Sequence, residues 1–281
     1  MGPLGINTRR VLGRDTNMPF IADIVKNRQL MMSLIKREII GRYRGSVMGL
    51  LWSFFNPIFM LLVYTFVFSV VFKARWPGGG ASRTEFALIL FAGLIVFNLF
   101  SECFIRAPSL VINNVNYVKK VVFPLQILPC VAMGSALFHM AISLIVWLIF
   151  YLIFYGIPHL SILLFPVVIA PLILTTLGLS WLLASLGVYL RDVAQIVGIL
   201  STVLMFLSPI FYSVEMLPPV YQQLVHISPL TLIVEQARQV LFWGQSINWI
   251  SWSVYALISI VIATTGYSWF QKTRKGFADV L

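Results

Sequence analysis

The chain has 281 residues, 59% of them hydrophobic and only 10% charged, with a formal net charge of +11. Soluble domains carry about 25% charged residues, and a soluble fold of this length has too little interior for so much apolar surface, so lipid is the expected solvent. A nucleic-acid surface gathers its basic residues on one domain or stripe, whereas these lie on loops spread along the chain, which excludes nucleic acid as a partner.

Residues 1–20 lack the apolar run of a cleavable leader. Ile6 stands where a myristoylation pattern needs Ser or Thr, so neither signal is expected. From 21 to 40 the pattern is helical. Ile21, Ile24, Val25, Arg28, Met31, Met32, Ile35 and Ile39 share one arc, while Asp23, Lys26, Lys36 and Arg37 project elsewhere. This predicts an amphipathic helix in the membrane interface, its basic face toward headgroups or a partner. Gly41, Gly45, Gly49 and Ser53 follow at every fourth position, which predicts a smooth ridge for close helix packing.

Charge-free gaps then mark the crossings, since a helix needs about 20 apolar residues to span the hydrocarbon core. The first is 47–72, with Pro57 expected to kink it. The second is 86–105, where Glu102 can pair with Arg106 one turn on. No Asp, Glu, Lys or Arg occurs from Val121 to Leu190, and the turn-like GIPHLS at 156–161 divides that run into crossings 128–155 and 162–189. His139, about halfway along the third crossing, is either a neutral hydrogen-bonded group or a proton relay. A fifth crossing fits 193–214 and a sixth 248–270. Between them, 216–243 is interrupted by Pro218–Pro219 and Ser228–Pro229. It reads as short re-entrant or interfacial helices, tolerated at membrane depth only where protein covers them or they line a cavity. Residues 76–83, WPGGGASR, read as a Gly-rich external turn.

Sixteen of the twenty Lys and Arg fall in 1–46, 106–127, 190–192 and 271–281, so both termini are expected in the cytoplasm. The fold class is therefore an all-α polytopic membrane protein: a cytoplasmic N-terminus with its interface helix (1–46), a six-helix transmembrane domain (47–270) and a short tail (271–281). Cys103 and Cys130 sit at cytoplasmic ends of crossings, where no disulfide is expected. The sequence contains no G-x-x-x-x-G-K-[ST], no H-E-x-x-H, no Cys cluster and no Asp pair at helical spacing. No catalytic centre, cofactor or metal is expected in this chain, and the energy for any transport would enter through a partner.

Four stretches read together: KREIIGRYRGSVMGLLWSFFNPIFMLLVY, NNVNYVKKVVFPLQILP, LGVYLRDVAQIVGILSTVLMFLSPIFYSVEMLP, and SPLTLIVEQARQVLF with the GFADVL tail. In this order, from about residue 30 to 281, the chain resembles the permease subunit of bacterial ABC exporters of cell-surface polysaccharide, the group handling O-antigen, capsule and teichoic acid. The resemblance implies residence in the bacterial inner (cytoplasmic) membrane and a homodimer whose interface forms the conduit. It also implies two cytoplasmic ABC ATPase subunits that carry ATP and Mg, and a polyprenyl-diphosphate-linked polysaccharide as cargo.

By the same resemblance Asn113, Asn114, Asn116, Tyr117, Lys119 and Lys120 form the element that couples to the ATPase; the bland alternative for the lysines is the positive-inside rule. Arg191 and Asp192 form the other tight internal turn, either touching that partner or simply interrupting the apolar run. Arg42, Tyr43 and Arg44, at headgroup level, either anchor the first crossing or bind the lipid diphosphate where cargo enters. Trp52, Phe55, Tyr64, Phe206, Phe211 and Tyr212 are candidate conduit-lining rings, with core filling the competing role. Glu235 and Arg238, at i,i+3, are expected to pair and brace an outer gate. The alternatives are an ABC permease for a drug, haem or lipid, and a membrane glycosyl- or acyltransferase, which would need convergent acidic or His residues at one membrane face.

Overall fold

The computed structural model describes residues 25–71, 76, 83–119 and 123–281. Ile21, Ile24, Lys120 and residues 77–82 of the external turn lie outside the described residues. Those described are helical, with no strand among them. Helix α1 (Arg28–Arg42) precedes α2 (Trp52–Tyr64), which continues as a π-helical stretch over Thr65–Val71. Then come α3 (Arg83–Arg106), short α4 (Val115–Lys119), α5 (Leu128–Tyr155) and α6 (Phe165–Tyr189). The rest is α7 (Val193–Leu207), α8 (Pro219–Ile227), α9 (Thr231–Leu241), α10 (Trp249–Thr273) and terminal α11 (Phe277–Val280).

Among the described residues, five helical segments are long and apolar enough to cross a membrane: Gly49–Phe68, Thr84–Ser109, Leu125–Tyr155, Leu160–Tyr189 and Trp249–Val280. Helix α3 is the central post. Phe86 to Phe97 is one continuous buried run, with α5, α6, α7 and α9 all packed on it. Its carbonyls also receive side chains, since Trp147 Nε1 donates to Leu88 O at 2.9 Å.

Helices α6 and α10 make the tightest seam. A Cβ at Gly178 would meet the Ile262 carbonyl and Ala263 Cα, and one at Gly266 would collide with the Gly178 carbonyl. Polar bonds run along the same seam. Trp252 Nε1 donates to Val167 O (3.0 Å), Thr175 Oγ1 to Ser259 Oγ (2.9 Å) and the Tyr189 hydroxyl to Thr273 O (3.0 Å). Lipid gives apolar side chains little reason to leave it, so close backbone packing and such bonds must hold the helices together.

The small-residue ridge predicted at the head of the first crossing is not a ridge. Gly45 and Gly49 have φ of 87° and 52°, and an added Cβ at Gly41, Gly45 or Gly49 would meet nothing within 4 Å. Here glycine supplies left-handed backbone for the bend from α1 into α2.

Helix α1 also differs from its predicted face. The side turned to the protein carries Met31, Leu34, Ile35 and Glu38, with Leu34 buried against Ile127 and Val131. Of the predicted apolar arc, Val25 and Met32 are exposed. The two arcs differ by roughly 60° at 3.6 residues per turn. The rotation follows from the ion pair of Glu38 with Arg106 Nη2, at 2.5 Å, which an apolar count cannot register.

The fifth predicted crossing is short. Helix α7 has 15 residues, about 22 Å at 1.5 Å per residue, against a hydrocarbon core of ~30 Å. At its end Ser208 turns to extended backbone, leaving carbonyls without helical partners. Arg238 of α9 takes them. Its Nη1 donates to Pro209 O (2.5 Å), its Nη2 to Ile210 O (2.7 Å) and its Nε to Ile89 O of α3 (3.0 Å). The side chain is 1% exposed and lies over Trp76, with Cζ 4.5 Å from the ring centroid. The expected Glu235–Arg238 pair is thus replaced by a guanidinium bound to three backbone carbonyls.

Two substitutions test this architecture. Gly266→Leu forces α6 and α10 apart, and the overpacking should cost about 1–3 kcal/mol, read as a lower thermal midpoint in detergent. Arg238→Gln strands buried carbonyls at roughly 1–3 kcal/mol each, so most of the folded monodisperse protein should be lost on size exclusion.

Candidate functional site

Where α1 bends into the first crossing, side chains of α1, α3 and α5 converge. Arg42 Nη2 donates to Glu102 Oε1 at 2.6 Å, and its Nη1 lies 2.9 Å from His139 Nδ1. Glu102 Oε2 is 3.1 Å from the same ring nitrogen, and the Tyr43 hydroxyl is 3.3 Å from His139 Nε2. Burial raises the Tyr43 phenol above its ordinary value, a shift that Arg42 opposes and Glu102 reinforces, so the phenol stays protonated.

One ring nitrogen cannot accept from Arg42 and donate to Glu102 together, so a neutral His139 has two consistent arrangements. In the first, Nδ1 donates to Glu102 and Nε2 accepts from Tyr43. In the second, Nδ1 accepts from Arg42 and Nε2 donates to Tyr43. Arg106 lies just below, 3.6 Å from Glu102 and tightly paired with Glu38.

Above this cluster a cavity of about 370 Å³ opens between the first, second and third crossings. Arg42, Tyr43, Glu102 and His139 line its lower part, and Asn56, Asn98, Ser143 and Tyr64 add polar groups at membrane depth. Of the predicted headgroup triad the structure brings Arg42 and Tyr43 into this cavity, while Arg44 is exposed outside it. Asn56 and Asn98 were missed because a reading by charge gaps passes over uncharged amides. Their mid-crossing positions were the available signal.

The candidate conduit rings fall into two groups. Phe211 joins the first crossing to the stretch after α7, with Phe68 at 5.4 Å, Phe206 at 5.8 Å and Tyr64 at 6.4 Å between centroids. The Tyr212 hydroxyl donates to Phe206 O and Leu207 O, closing the end of α7. Trp52 is exposed and Phe55 stacks on Phe59, apart from that group.

In the loop between α3 and α5, Asn113 just before α4 and Asn116 and Lys119 on it are exposed at threefold spacing. Its inner side is tied down. The Tyr117 ring stacks on Phe123 at 4.3 Å and its hydroxyl accepts from Arg37 Nη2 at 2.7 Å. Asn114 Nδ2 donates to Leu110 O, so Asn114 braces the loop. Tyr117 and Val118 pack on the cluster that holds fully buried Phe277, a support that the sequence reading left unassigned. Arg191 and Asp192 are exposed in the turn between α6 and α7.

A polytopic helical protein with a cavity and polar groups among its crossings has the build of a membrane transport protein. The family model described as ABC-2 type transporter matches residues 29–242, and the chain belongs to that family. Among curated proteins it is similar to the O-antigen export system permease protein RfbA of Myxococcus xanthus, 28% identical over 92% of this chain and 98% of the relative. Two proteins of the same name from Klebsiella pneumoniae are 24% and 26% identical, each over 90% of this chain and 95% of their own length.

The Arg42–Glu102 contact yields a test. Arg42→Ala and Glu102→Ala should each lower the thermal midpoint in detergent. The double variant should be no less stable than the worse single, because coupled residues are not additive.

Proposed function

We propose that this chain is the membrane subunit of an ATP-driven exporter that moves a lipid-linked polysaccharide outward across the bacterial inner membrane. One observation carries the reading: relatives named as O-antigen export permeases align over nine-tenths of the chain. Two copies form the conduit, each accompanied by a separate cytoplasmic ABC ATPase that carries ATP and Mg. Both termini lie in the cytoplasm, in keeping with the distribution of basic residues.

The geometry suits that division of labour. The faces of α2 and α7 carry exposed Phe59, Met60, Ile199, Val203 and Phe206, the surfaces a second copy and the cargo would share. The Tyr64–Phe68–Phe211–Phe206 rings stand at that seam and can slide past sugar faces without fixing one register. Arg42 and Tyr43 meet the diphosphate at the threshold, with Glu102 and His139 holding the guanidinium in place. Asn113, Asn116 and Lys119 receive the ATPase. Because α4 is stacked on Phe123 and bonded to Arg37 of α1, a push on it reaches both the interface helix and the loop between α3 and α5.

The test is co-purification with a candidate ABC ATPase of the same organism, followed by reconstitution of the pair in nanodiscs. Undecaprenyl-diphosphate-linked polysaccharide should stimulate ATP turnover. Asn113→Ala/Asn116→Ala/Lys119→Ala should lower that stimulation about tenfold, or ~1.4 kcal/mol, while membrane insertion stays normal. Failure of the ATPase to co-purify, or lipid-linked polymer without effect on turnover, sinks the reading.

A further inference from the structure

The cavity of about 370 Å³ runs past the Arg42–Glu102 cluster to membrane depth, and each of the three helices that form it contributes a polar side chain there. Asn56 comes from α2, Asn98 from α3 and Ser143 from α5. At 1.5 Å per residue, Asn56 lies roughly 10 Å along its segment from Gly49, and Asn98 roughly 16 Å along its own from Ser109. At such depths lipid supplies no hydrogen-bonding groups. Asn98 is also the one exposed position in the otherwise buried run from Phe86 to Phe100.

Among the described residues neither carboxamide has a side-chain hydrogen-bond partner. An amide left dry and unpaired is costly, so two of them on one cavity in the hydrocarbon call for an occupant that both donates and accepts. The serines add acceptors. Ser53 Oγ donates to Leu50 O (2.7 Å) and Ser143 Oγ to His139 O (3.0 Å), so each proton is engaged within its own helix and the oxygen is left to accept. Tyr64 adds a ring and a hydroxyl to the same wall. A single sugar fits this set, because its rim of hydroxyls donates and accepts while its apolar C–H face packs on an aromatic plate. The volume lies at the lower end of the range for small-molecule sites.

We propose that the upper part of this cavity binds the sugar joined directly to the diphosphate of the lipid-linked cargo. The inference rests on the polysaccharide-export reading and deepens it, since it adds a sugar subsite beyond the Arg42–Tyr43 threshold. The lipid anchors that end of the polymer at the membrane, so this sugar is the first to leave water. Asn56 and Asn98 replace its lost hydration at a depth where hydrocarbon offers none.

The experiment uses the full-length permease in nanodiscs and compares farnesyl diphosphate with farnesyl-diphospho-glucose and farnesyl-diphospho-N-acetylglucosamine, binding being read by native mass spectrometry. At least one sugar-bearing probe should bind about tenfold tighter than the bare diphosphate. Asn56→Leu with Asn98→Leu should erase that gain, so that all three probes bind alike. The same double variant should melt no lower than the wild type, because an amide without a partner adds nothing to the fold. The subsite is overturned if neither sugar adds affinity, which leaves water as the occupant, or if the gain survives the double substitution. It is equally overturned if the variant melts clearly lower, which makes the amides structural, or if glucosyl diacylglycerol binds as tightly as the sugar-bearing diphosphates, which makes the site a glycolipid site. Turnover of the permease–ATPase pair separates this inference from the one beneath it. Stimulation by the lipid-linked polymer without any sugar gain overturns the subsite alone, whereas turnover that the polymer leaves unchanged overturns the exporter.

Discussion

The architecture depends on how the chain satisfies backbone that is not helical at membrane depth. Hydrocarbon offers no water, so each freed carbonyl needs a partner from the protein itself. The break after α7 is the place where this constraint bites, and one guanidinium from α9 meets it. Arg238 suits the task because its planar, permanently charged fork reaches several acceptors at once. Gly93 leaves the room it needs, since a Cβ there would lie 2.8 Å from Arg238 Nη2. The bonds fasten α9 to α3 and to the end of α7 together, which makes the hairpin of short helices a fixed part of the fold.

The end of the molecule that carries α1 and α4 is organised by charge pairing among partly buried groups. Glu38 and Glu102 lie among Arg42, Arg106 and His139, so ion pairs tie α1 to α3, while Leu34 packs it against Val131 of α5. The same helix reaches α4 through Arg37 and Tyr117. The polar cavity, α1 and the loop between α3 and α5 are therefore linked by direct side-chain contacts.

Much of the fold was legible in the sequence because hydropathy and charge gaps follow directly from the solvent. The crossings in the first, second, third, fourth and last positions appear as long apolar helices. Readings that depend on three-dimensional approach were less legible. Spacing of Gly41, Gly45 and Gly49 signals close packing only if the backbone is helical, and two of these glycines have positive φ. The backbone seam lies instead at Gly178 and Gly266, far apart in sequence and with no repeat to announce them. Leu34 and Glu38 of α1 were passed over because the ion pair with Arg106 sets the helix rotation. Likewise Arg238 beside Glu235 suggested a local pair, whereas its partners are carbonyls 28, 29 and 149 residues away.

The seam between α6 and α10 has a mechanical consequence. Where carbonyl meets Cα there is no side-chain layer to shear, so these two helices can only move as one body. Helices α2 and α7 are the contrasting case, with Ser53 and Leu61 the buried residues of one and Val197 and Ser201 those of the other. The chain thus divides into a stator and a pair of loosely seated staves. Any rearrangement of the crossings would fall to the staves, leaving the stator and its lipid-facing perimeter in register with the surrounding bilayer.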